Sequence, residues 1–327
     1  MRPTDAVLAV TYRCNARCVM CGIWSGRRVA ESPPEMYRNL PSSLRSVNIT
    51  GGEPFLRDDL PEIVEAVRGA CRRAEIVLST NGLMTDRIVE MMRQLDAGPR
   101  TLGIAVSVDG IGDKHDEMRG IPDAFVKVQA TVRRLAESGL GKVRLAFTAT
   151  PANVEYFGRV YDLSRQLGVE FTCAVAQSSE HYFQTSDETK SIAPEALRRH
   201  VEPVIRSELA SFSMKRWGRA YFMYGLLQFY SGMGRPLPCH AGGDFFFVDP
   251  TGDVYPCNVL SHVMGNLNEQ AFDELWRSER GDRARGGAKA CQAGCWMICT
   301  ARTSMQRHRF RVLAWAIKHK FFPGRPL

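Results

Sequence analysis

A repeated pattern of apolar run, turn and helical segment across the first 175 residues constrains the fold of this chain most strongly. Short β-rich apolar runs alternate with amphipathic stretches whose apolar residues recur at helical spacing, which is typical of successive βα units and a parallel sheet. The pattern predicts six strands, at Ala6–Thr11, Ser46–Thr50, Glu75–Ser79, Leu102–Val108, Val143–Thr148 and Glu170–Val175. It predicts intervening helices at Leu60–Arg72, Arg87–Leu95, Phe125–Glu137 and Val154–Leu167. The expected fold class is therefore α/β, a partial (β/α)6 TIM-like barrel followed by a small cysteine-rich C-terminal domain.

Polar and glycine-rich segments follow the first four predicted strands. They are the cysteine loop after the first strand, then Thr50–Pro54, Ser79–Gly82 and Ser107–Gly110. Because the carboxyl ends of parallel strands open onto one mouth of a barrel, we expect these four loops to form a single site.

Three cysteines in the first of these loops have the spacing of a cluster site. Cys14, Cys18 and Cys21 can bind three irons of a [4Fe–4S] cube and leave the fourth iron free for a reactant. The alternative is a zinc site, since Cys-x2-Cys also begins many of those. That alternative lacks a nearby fourth ligand, because the next histidine is His115, after another predicted strand.

These residues resemble the radical S-adenosylmethionine (SAM) superfamily, whose hallmark is Cys-x3-Cys-x2-Cys after the first barrel strand. The resemblance implies that the reduced cluster cleaves SAM to a 5′-deoxyadenosyl radical, which abstracts a substrate hydrogen. A second motif, Gly51-Gly52-Glu53-Pro54, resembles the segment of the family that contacts the SAM amino group. The resemblance also implies SAM contacts from four further residues, of which Arg119 would pair with the SAM carboxylate: Asn81, Ser107, Asp109 and Arg119.

A second group of cysteines lies near the C-terminus. Cys239 and Cys257 flank an Asp249–Asp253 turn between apolar runs, which predicts a β-hairpin that brings them together. Cys291, Cys295 and Cys299 follow, spaced so that they would share one face if they lie on a helix, or else lie on a loop.

This module resembles the SPASM and twitch domains that add auxiliary iron–sulfur clusters to radical SAM barrels. Five cysteines are fewer than two complete clusters need, so the smaller twitch form with one auxiliary cluster is expected. Cys239, Cys257 and one or two of the last three cysteines would hold it. A structural zinc site is the alternative.

Cysteine content and hydropathy indicate the cellular compartment in which the chain is expected. The chain has ten cysteines and no apolar run long enough for a spanning helix or a signal peptide, so we expect free thiols and a cytoplasmic location. Cys71 and Cys173 stand apart and are expected in the core. The net charge of +8 is uneven, since residues 300–327 hold seven basic residues and no acidic ones.

The basic tail is expected to form a helix over Gln306–Phe322. Phe310, Leu313, Ile317 and Phe321 would share one face, with Trp315 as a further aromatic. Three interpretations are open: packing of that face on the barrel, peripheral contact with the inner membrane surface, or contact with nucleic acid, which is disfavoured.

These expectations divide the chain into a barrel core (1–176), a helical connector and substrate wall (177–238), an auxiliary cluster domain (239–300) and a basic amphipathic tail (301–327). The expected activity is oxidation or rearrangement of a sugar, an aminocyclitol or a lipid-linked small molecule, with a flavodoxin- or ferredoxin-type electron donor. A peptide maturase is the first alternative, disfavoured because only 13 residues precede Cys14. A non-catalytic metal-binding or redox-sensing protein is the second.

Overall fold

The computed structural model describes residues 2–26, 29–96, 102–185, 191–291 and 295–322. Its strands are β1 Asp5–Ala9, β2 Ser46–Thr50, β3 Glu75–Thr80, β4 Gly103–Ser107, β5 Lys142–Ala149, β6 Glu170–Val175, β7 Phe245–Val248, β8 Asp253–Tyr255 and β9 Gly265–Asn266. Its α-helices are α1 Leu60–Ala70, α2 Thr85–Asp96, α3 Asp113–Arg119, α4 Ala124–Glu137, α5 Phe157–Gln166, α6 Pro194–Ala210, α7 Met214–Gln228, α8 Phe272–Arg277, α9 Glu279–Lys289, α10 Ile298–Arg307 and α11 Arg309–Phe321.

The six expected strands lie side by side in parallel in one open sheet, which confirms the partial-barrel prediction. In the described residues the sheet order is β6-β5-β4-β3-β2-β1-β7-β8-β9, and each neighbouring pair from β6 to β1 is parallel. β2 and β6 begin and end where the sequence predicted, and the other four strands differ by one or two residues. Buried aliphatic residues of the strands and of α1, α2, α4 and α5 form the main core between sheet and helices.

The cysteine-bearing C-terminal segment continues this sheet. β7 pairs in parallel with β1, with Asp5 opposite Phe245 and Leu8 opposite Val248, and β8 and β9 add antiparallel strands. The three phenylalanines of β7 are fully buried. The barrel edge at β1 is thereby covered, and the expected boundary at residue 239 falls just before a strand of the shared sheet.

The connector consists of two packed helices. Glu208 of α6 is buried and pairs with Arg216 at 2.9 Å and Arg219 at 2.7 Å, both on α7. Tyr221 and Phe222 of α7 are also buried, so these aromatics belong to the core.

The expected tail helix is divided in two. α10 ends at Arg307, which pairs with the buried Asp244, and α11 begins after His308. The end of the tail, residues 323–327, lies outside the described residues. None of the helices that the structure describes has the length and hydropathy needed to cross a bilayer.

Candidate active site

The three N-terminal cysteines converge in a mostly apolar enclosure at the carboxyl end of β1. Cys18 is buried and Cys14 and Cys21 are half-buried, packed with Ala16, Met20, Leu83, Met118 and Ala176. Burial raises the pKa of Cys14 to about 11, and the neighbouring Cys18, Glu53 and Cys21 raise it further if charged. Since burial disfavours a bare thiolate here, a positively charged partner is needed to hold these cysteines deprotonated.

Several N–H groups point at the sulfur atoms. The backbone N–H of Ala16 donates to Cys14 Sγ at 3.5 Å, and Arg119 Nη1 donates to Cys18 Sγ at 3.5 Å. Asn81 Nδ2 lies 3.9 Å from Cys14 Sγ. Hydrogen bonds of this kind stabilise thiolates that ligate iron, so the donor set fits a [4Fe–4S] cluster.

The two glycines of the Gly51-Gly52 motif contact the cysteine loop itself. A Cβ on Gly51 would lie 2.3 Å from the carbonyl oxygen of Thr11, and a Cβ on Gly52 would lie 2.3 Å from that of Arg13. Gly51 also has a φ of 151°. The backbone N–H groups of Gly52 and Glu53 donate to Thr11 O and Arg13 O at 2.7 and 2.8 Å. Glycine is therefore required because the backbone that leads to Cys14 packs directly on this turn.

Substitution of Gly52 by alanine should distort the cysteine loop. Because the contact is with backbone, we expect the free energy of unfolding to fall by about 1–3 kcal/mol and iron loading to fall with it. Gly69→Ala is the matched control, since no atom lies within 4 Å of its added Cβ, and it should leave both unchanged or raise stability slightly. Urea unfolding of the apoprotein and iron content after reconstitution check this; equal values for the two variants would contradict it.

Glu53 is fully buried and holds two loops together. Its carboxylate accepts from Asn81 N at 2.7 Å, from Thr80 Oγ1 at 2.9 Å and from Phe55 N at 3.2 Å. A carboxylate has about four acceptor positions, so one remains for a ligand ammonium. Pro54 follows as the first residue of a short 3-10 helix that Glu53 caps.

Burial raises the pKa of Glu53 to about 7 despite these hydrogen bonds. The folded apoprotein then binds one more proton than the unfolded chain between about pH 4.5 and 7, so this group lowers stability as pH rises through that window. Glu53→Gln lacks this titration. We therefore expect the difference in free energy of unfolding between Glu53→Gln and wild type to shift in favour of the variant by up to about 3 kcal/mol from pH 4.5 to pH 8. Urea unfolding at the two pH values measures the change, and a pH-independent difference would rule it out.

Asp109 and Arg119, both expected to contact SAM, are paired with each other. Arg119 Nη2 lies 2.5 Å from Asp109 Oδ2, and both side chains are buried. The second Asp109 oxygen accepts from Thr148 N at 2.7 Å. Burial raises the pKa of Asp109, and Arg119 opposes that shift. The pair therefore joins the end of β4 to Cys18, a link that the sequence did not predict.

The remaining polar residues expected in the site are near these two. Ser107 ends β4 and is half-buried, and Asn81 bonds through Nδ2 to Asn15 Oδ1 at 2.7 Å and through its backbone to Glu53. The structure thus brings the cysteine loop, the Gly-Gly turn, Asn81 and the Asp109–Arg119 pair into one connected site.

Gly120 and His115, which the sequence did not assign to the site, support the cysteine loop and Asp109 respectively. Gly120 has a φ of 64°, and a Cβ there would lie 2.5 Å from the carbonyl oxygen of Arg17. The buried His115 accepts from Asp109 N through Nδ1 at 3.0 Å, and burial lowers its pKa to about 3. The His115-Asp116-x2-Arg119-Gly120 segment contains the signal for both, because helix α3 ends at Gly120 against the cysteine loop.

The five C-terminal cysteines also lie together. Burial raises the pKa values of Cys257, Cys295 and Cys299, and their mutual charges raise them further. Cys239 and Cys291 are among the neighbours whose charge acts on Cys295. Of the three cysteines spaced four apart, Cys299 lies in the first turn of α10, whereas Cys291 and Cys295 precede it outside any helix, so the shared-helix arrangement is not formed.

N–H donors surround this second group as well. Val259 N and Leu260 N donate to Cys257 Sγ at 3.4 and 3.3 Å, Ala241 N donates to Cys239 Sγ at 3.4 Å, and Arg235 Nη2 donates to Cys295 Sγ at 3.6 Å. In the residues described, no three Cys, His, Asp or Glu side chains are close enough together to hold a single metal ion. Hydrogen bonds from these N–H donors fit thiolates that ligate an iron–sulfur cluster.

A buried, partly aromatic cluster contacts both cysteine groups. It includes Tyr182, Phe247, Tyr255 and Cys257, and Cys21 and Cys299 both pack against it. Burial raises the pKa of Tyr182, and charges on Cys21, Cys299 and Cys14 raise it further. A cavity of about 630 Å³ adjoins the cluster, lined by Tyr12, Glu180, His181, Gln184, Thr185, Asp249, Tyr255 and Ser261.

Comparison with known proteins identifies the class. The radical SAM superfamily model matches residues 8–163, and the model of the SPASM iron–sulfur cluster-binding domain matches residues 239–300. The chain therefore belongs to the radical SAM superfamily and carries a SPASM-type domain. Its cofactors are SAM, a [4Fe–4S] cluster and auxiliary iron–sulfur.

Individual relatives span most of the chain. An AdoMet-dependent heme synthase of Methanosarcina barkeri is 28% identical over 301 residues, which cover 82% of this chain and 80% of the relative. The mycofactocin maturase MftC of Mycobacterium ulcerans is 25% identical over 280 residues, covering 82% and 73%. The crystal structure of Streptococcus suis SuiB bound to SAM shares the fold, with a TM-score of 0.66 at 18% identity over 88% of this chain and 68% of that one.

Proposed function

We propose that this enzyme oxidises a small organic substrate at the barrel mouth, using Cys14, Cys18 and Cys21 for the SAM cluster and the C-terminal cysteines for an auxiliary cluster. When bound, the first cluster supplies the electron that cleaves SAM to a radical that takes hydrogen from the substrate, and the second supplies an acceptor for the electron released afterwards. The observation that carries the proposal is that Cys21 and Cys299 pack against one aromatic cluster. Both cofactors would then face one reaction space.

The chain's own residues would bind and orient SAM around the cysteine loop. The free acceptor position of Glu53 suits the SAM ammonium, and Gly51, Gly52 and Pro54 hold the turn that presents it. Ser107 and Asn81 offer a hydroxyl and an amide to the nucleoside. Asp109 and Arg119 would act on SAM partly through the loop, because they are engaged with each other and with Cys18.

The adjoining cavity is the proposed substrate site. Its volume of about 630 Å³ lies within the range of small-molecule pockets. Tyr12, which follows β1, lies at its wall and donates to the His181 carbonyl at 3.0 Å. A small-molecule substrate also agrees with the similarity to a heme synthase.

A peptide substrate is the second candidate, favoured by the similarity to the mycofactocin maturase along most of the chain. The two are separated by assaying 5′-deoxyadenosine formation by anaerobically reconstituted enzyme with dithionite and SAM. We expect the small-molecule fraction of a cell extract to stimulate formation above the uncoupled rate, and the peptide fraction not to do so. Stimulation by peptides alone would favour the maturase, and zinc-bound protein without SAM cleavage would favour a non-catalytic protein.

A further inference from the structure

Helix α11 has apolar residues on two opposite faces, and only one of them is packed. Val312 and Ala316 are buried against the protein, and Trp315 contacts Tyr221 and Tyr224 of α7 with ring centroids 5.2 and 4.8 Å apart. Trp315 therefore faces the core. The face of Phe310, Ile317 and Phe321, for which the sequence left packing, membrane contact and nucleic-acid contact open, is the exposed one.

The outer strip of α11 consists of Phe310, Ala314, Ile317 and Phe321, which share one face at helical spacing. The side chains of Phe310, Ile317 and Phe321 are 74%, 42% and 58% exposed. Burial of these large apolar groups is favourable, so their exposure in one row marks an interaction surface.

The loop between α6 and α7 extends this surface. Phe212 is 80% exposed and Met214 is 71% exposed. Lys320 of α11 holds Phe212 next to α11, because its Nζ lies 4.0 Å from the Phe212 ring centroid and donates to the carbonyls of Leu209 and Ala210 at 2.9 and 2.8 Å. Counting Met214 at the start of α7 and Phe322 just after α11, six of the eleven exposed large apolar side chains in the described residues lie on α11 or at the junction of α6 and α7.

Basic residues border the outer strip on both sides. By helical spacing, Arg311 and Lys318 lie along one edge and Arg309 along the other, and all three are exposed. Residues 300–327 contain no acidic side chain. Two copies meeting through this face would bring like charges together, whereas an anionic surface would neutralise them.

We propose that the outer strip and its basic border dock on the surface of an anionic lipid bilayer. α11 has 13 residues, about 20 Å of helix, which is shorter than the hydrocarbon core, so it would lie in the interface with its phenylalanines among the headgroups. This surface is independent of the proposed reaction, although it would bring the barrel close to a lipid-linked substrate.

Co-sedimentation of the reconstituted full-length enzyme with vesicles tests the proposal. We expect binding to vesicles of equal parts phosphatidylglycerol and phosphatidylcholine, weaker binding at high salt, and little binding to phosphatidylcholine alone. Phe310→Ser combined with Phe321→Ser should lower the affinity at least about tenfold. Val126→Ser, which removes an exposed apolar side chain from α4, is the matched control and should bind as wild type does.

A second pair of variants tests the contribution of the basic border to vesicle binding. Arg311→Glu with Lys318→Glu should also lower the affinity at least about tenfold, whereas Lys127→Glu with Arg133→Glu on α4 makes the same charge change elsewhere and should lower it much less. Uncoupled SAM cleavage should be unchanged in every variant, which verifies folding. Equal affinity of wild type and the Phe310 and Phe321 double variant would overturn the proposal. A wild-type dimer in light scattering that this double variant dissociates would also overturn it, and would assign the strip to a second copy.

Discussion

Replacement of Cys14 by alanine should reduce 5′-deoxyadenosine formation more than about 100-fold, since even a partner outside the ligand shell of a metal site is commonly worth 10- to 100-fold. Cys14 is central to the loop, because Ala16 N and Asn81 Nδ2 both lie toward its sulfur. Without Cys14 only two thiolates of the loop remain, so one iron of the SAM cluster loses its protein ligand. Iron content should fall together with the rate.

The control for this variant is Cys71→Ala. Cys71 is fully buried at the end of α1, far in sequence from either cysteine group, and its thiol bonds to the Pro41 carbonyl at 3.5 Å. Its loss should lower stability modestly and leave SAM cleavage intact. A Cys14→Ala protein that still cleaves SAM at the rate of Cys71→Ala would show that the cluster is not held by this loop.

Replacement of Cys257 by alanine should separate SAM cleavage from product formation. The buried Cys257 accepts from two backbone N–H groups and neighbours Cys239 and Cys295, so its loss should remove the auxiliary cluster and about four irons. The site around Cys14 is built from other loops, so uncoupled 5′-deoxyadenosine formation should persist in part while product is lost. The readouts are iron content, 5′-deoxyadenosine and product by mass spectrometry.

Cys173→Ala is the matched control, since Cys173 is buried in β6 outside both cysteine groups. It should retain both activities. If Cys257→Ala kept full product formation with its iron reduced, the C-terminal cluster would be a structural element and the proposed electron acceptor would be wrong.

Local periodicity predicted the barrel well because each strand is a short apolar run closed by a turn. β2 and β6 were predicted with their observed ends. The pairing of β7 with β1 was not predicted, since it joins residues about 240 positions apart and no local pattern encodes it. The consequence is substantial: the auxiliary cysteines are attached to the same sheet as the SAM loop.

The sequence predicted which loops converge at the candidate site, but not the contacts between them. The sequence located the cysteine loop, the Gly-Gly turn and Arg119, but assigned the glycines to a ligand, whereas their close neighbour is the Thr11–Arg13 backbone. It also directed Asp109 and Arg119 separately at SAM, whereas they form a buried pair. Motifs give residue types at fixed spacing, and which buried charges pair with each other depends on the packing of several loops.

The prediction of the basic tail was limited in the same way, because helical spacing does not show which face of a helix packs. Helical spacing placed Phe310, Ile317 and Phe321 on one face, as observed, but could not decide which face packs. The packed face is the one with Val312 and Ala316, which are buried, and with Trp315, which contacts Tyr221 of α7.

The most direct test of the account is electron paramagnetic resonance of the reduced Cys257→Ala enzyme, in which the cluster on Cys14, Cys18 and Cys21 is expected to be the main signal. We expect a [4Fe–4S]⁺ spectrum whose g-values shift when SAM is added, because one iron is open to the ligand. A spectrum unchanged by SAM, or the absence of a cluster, would contradict it.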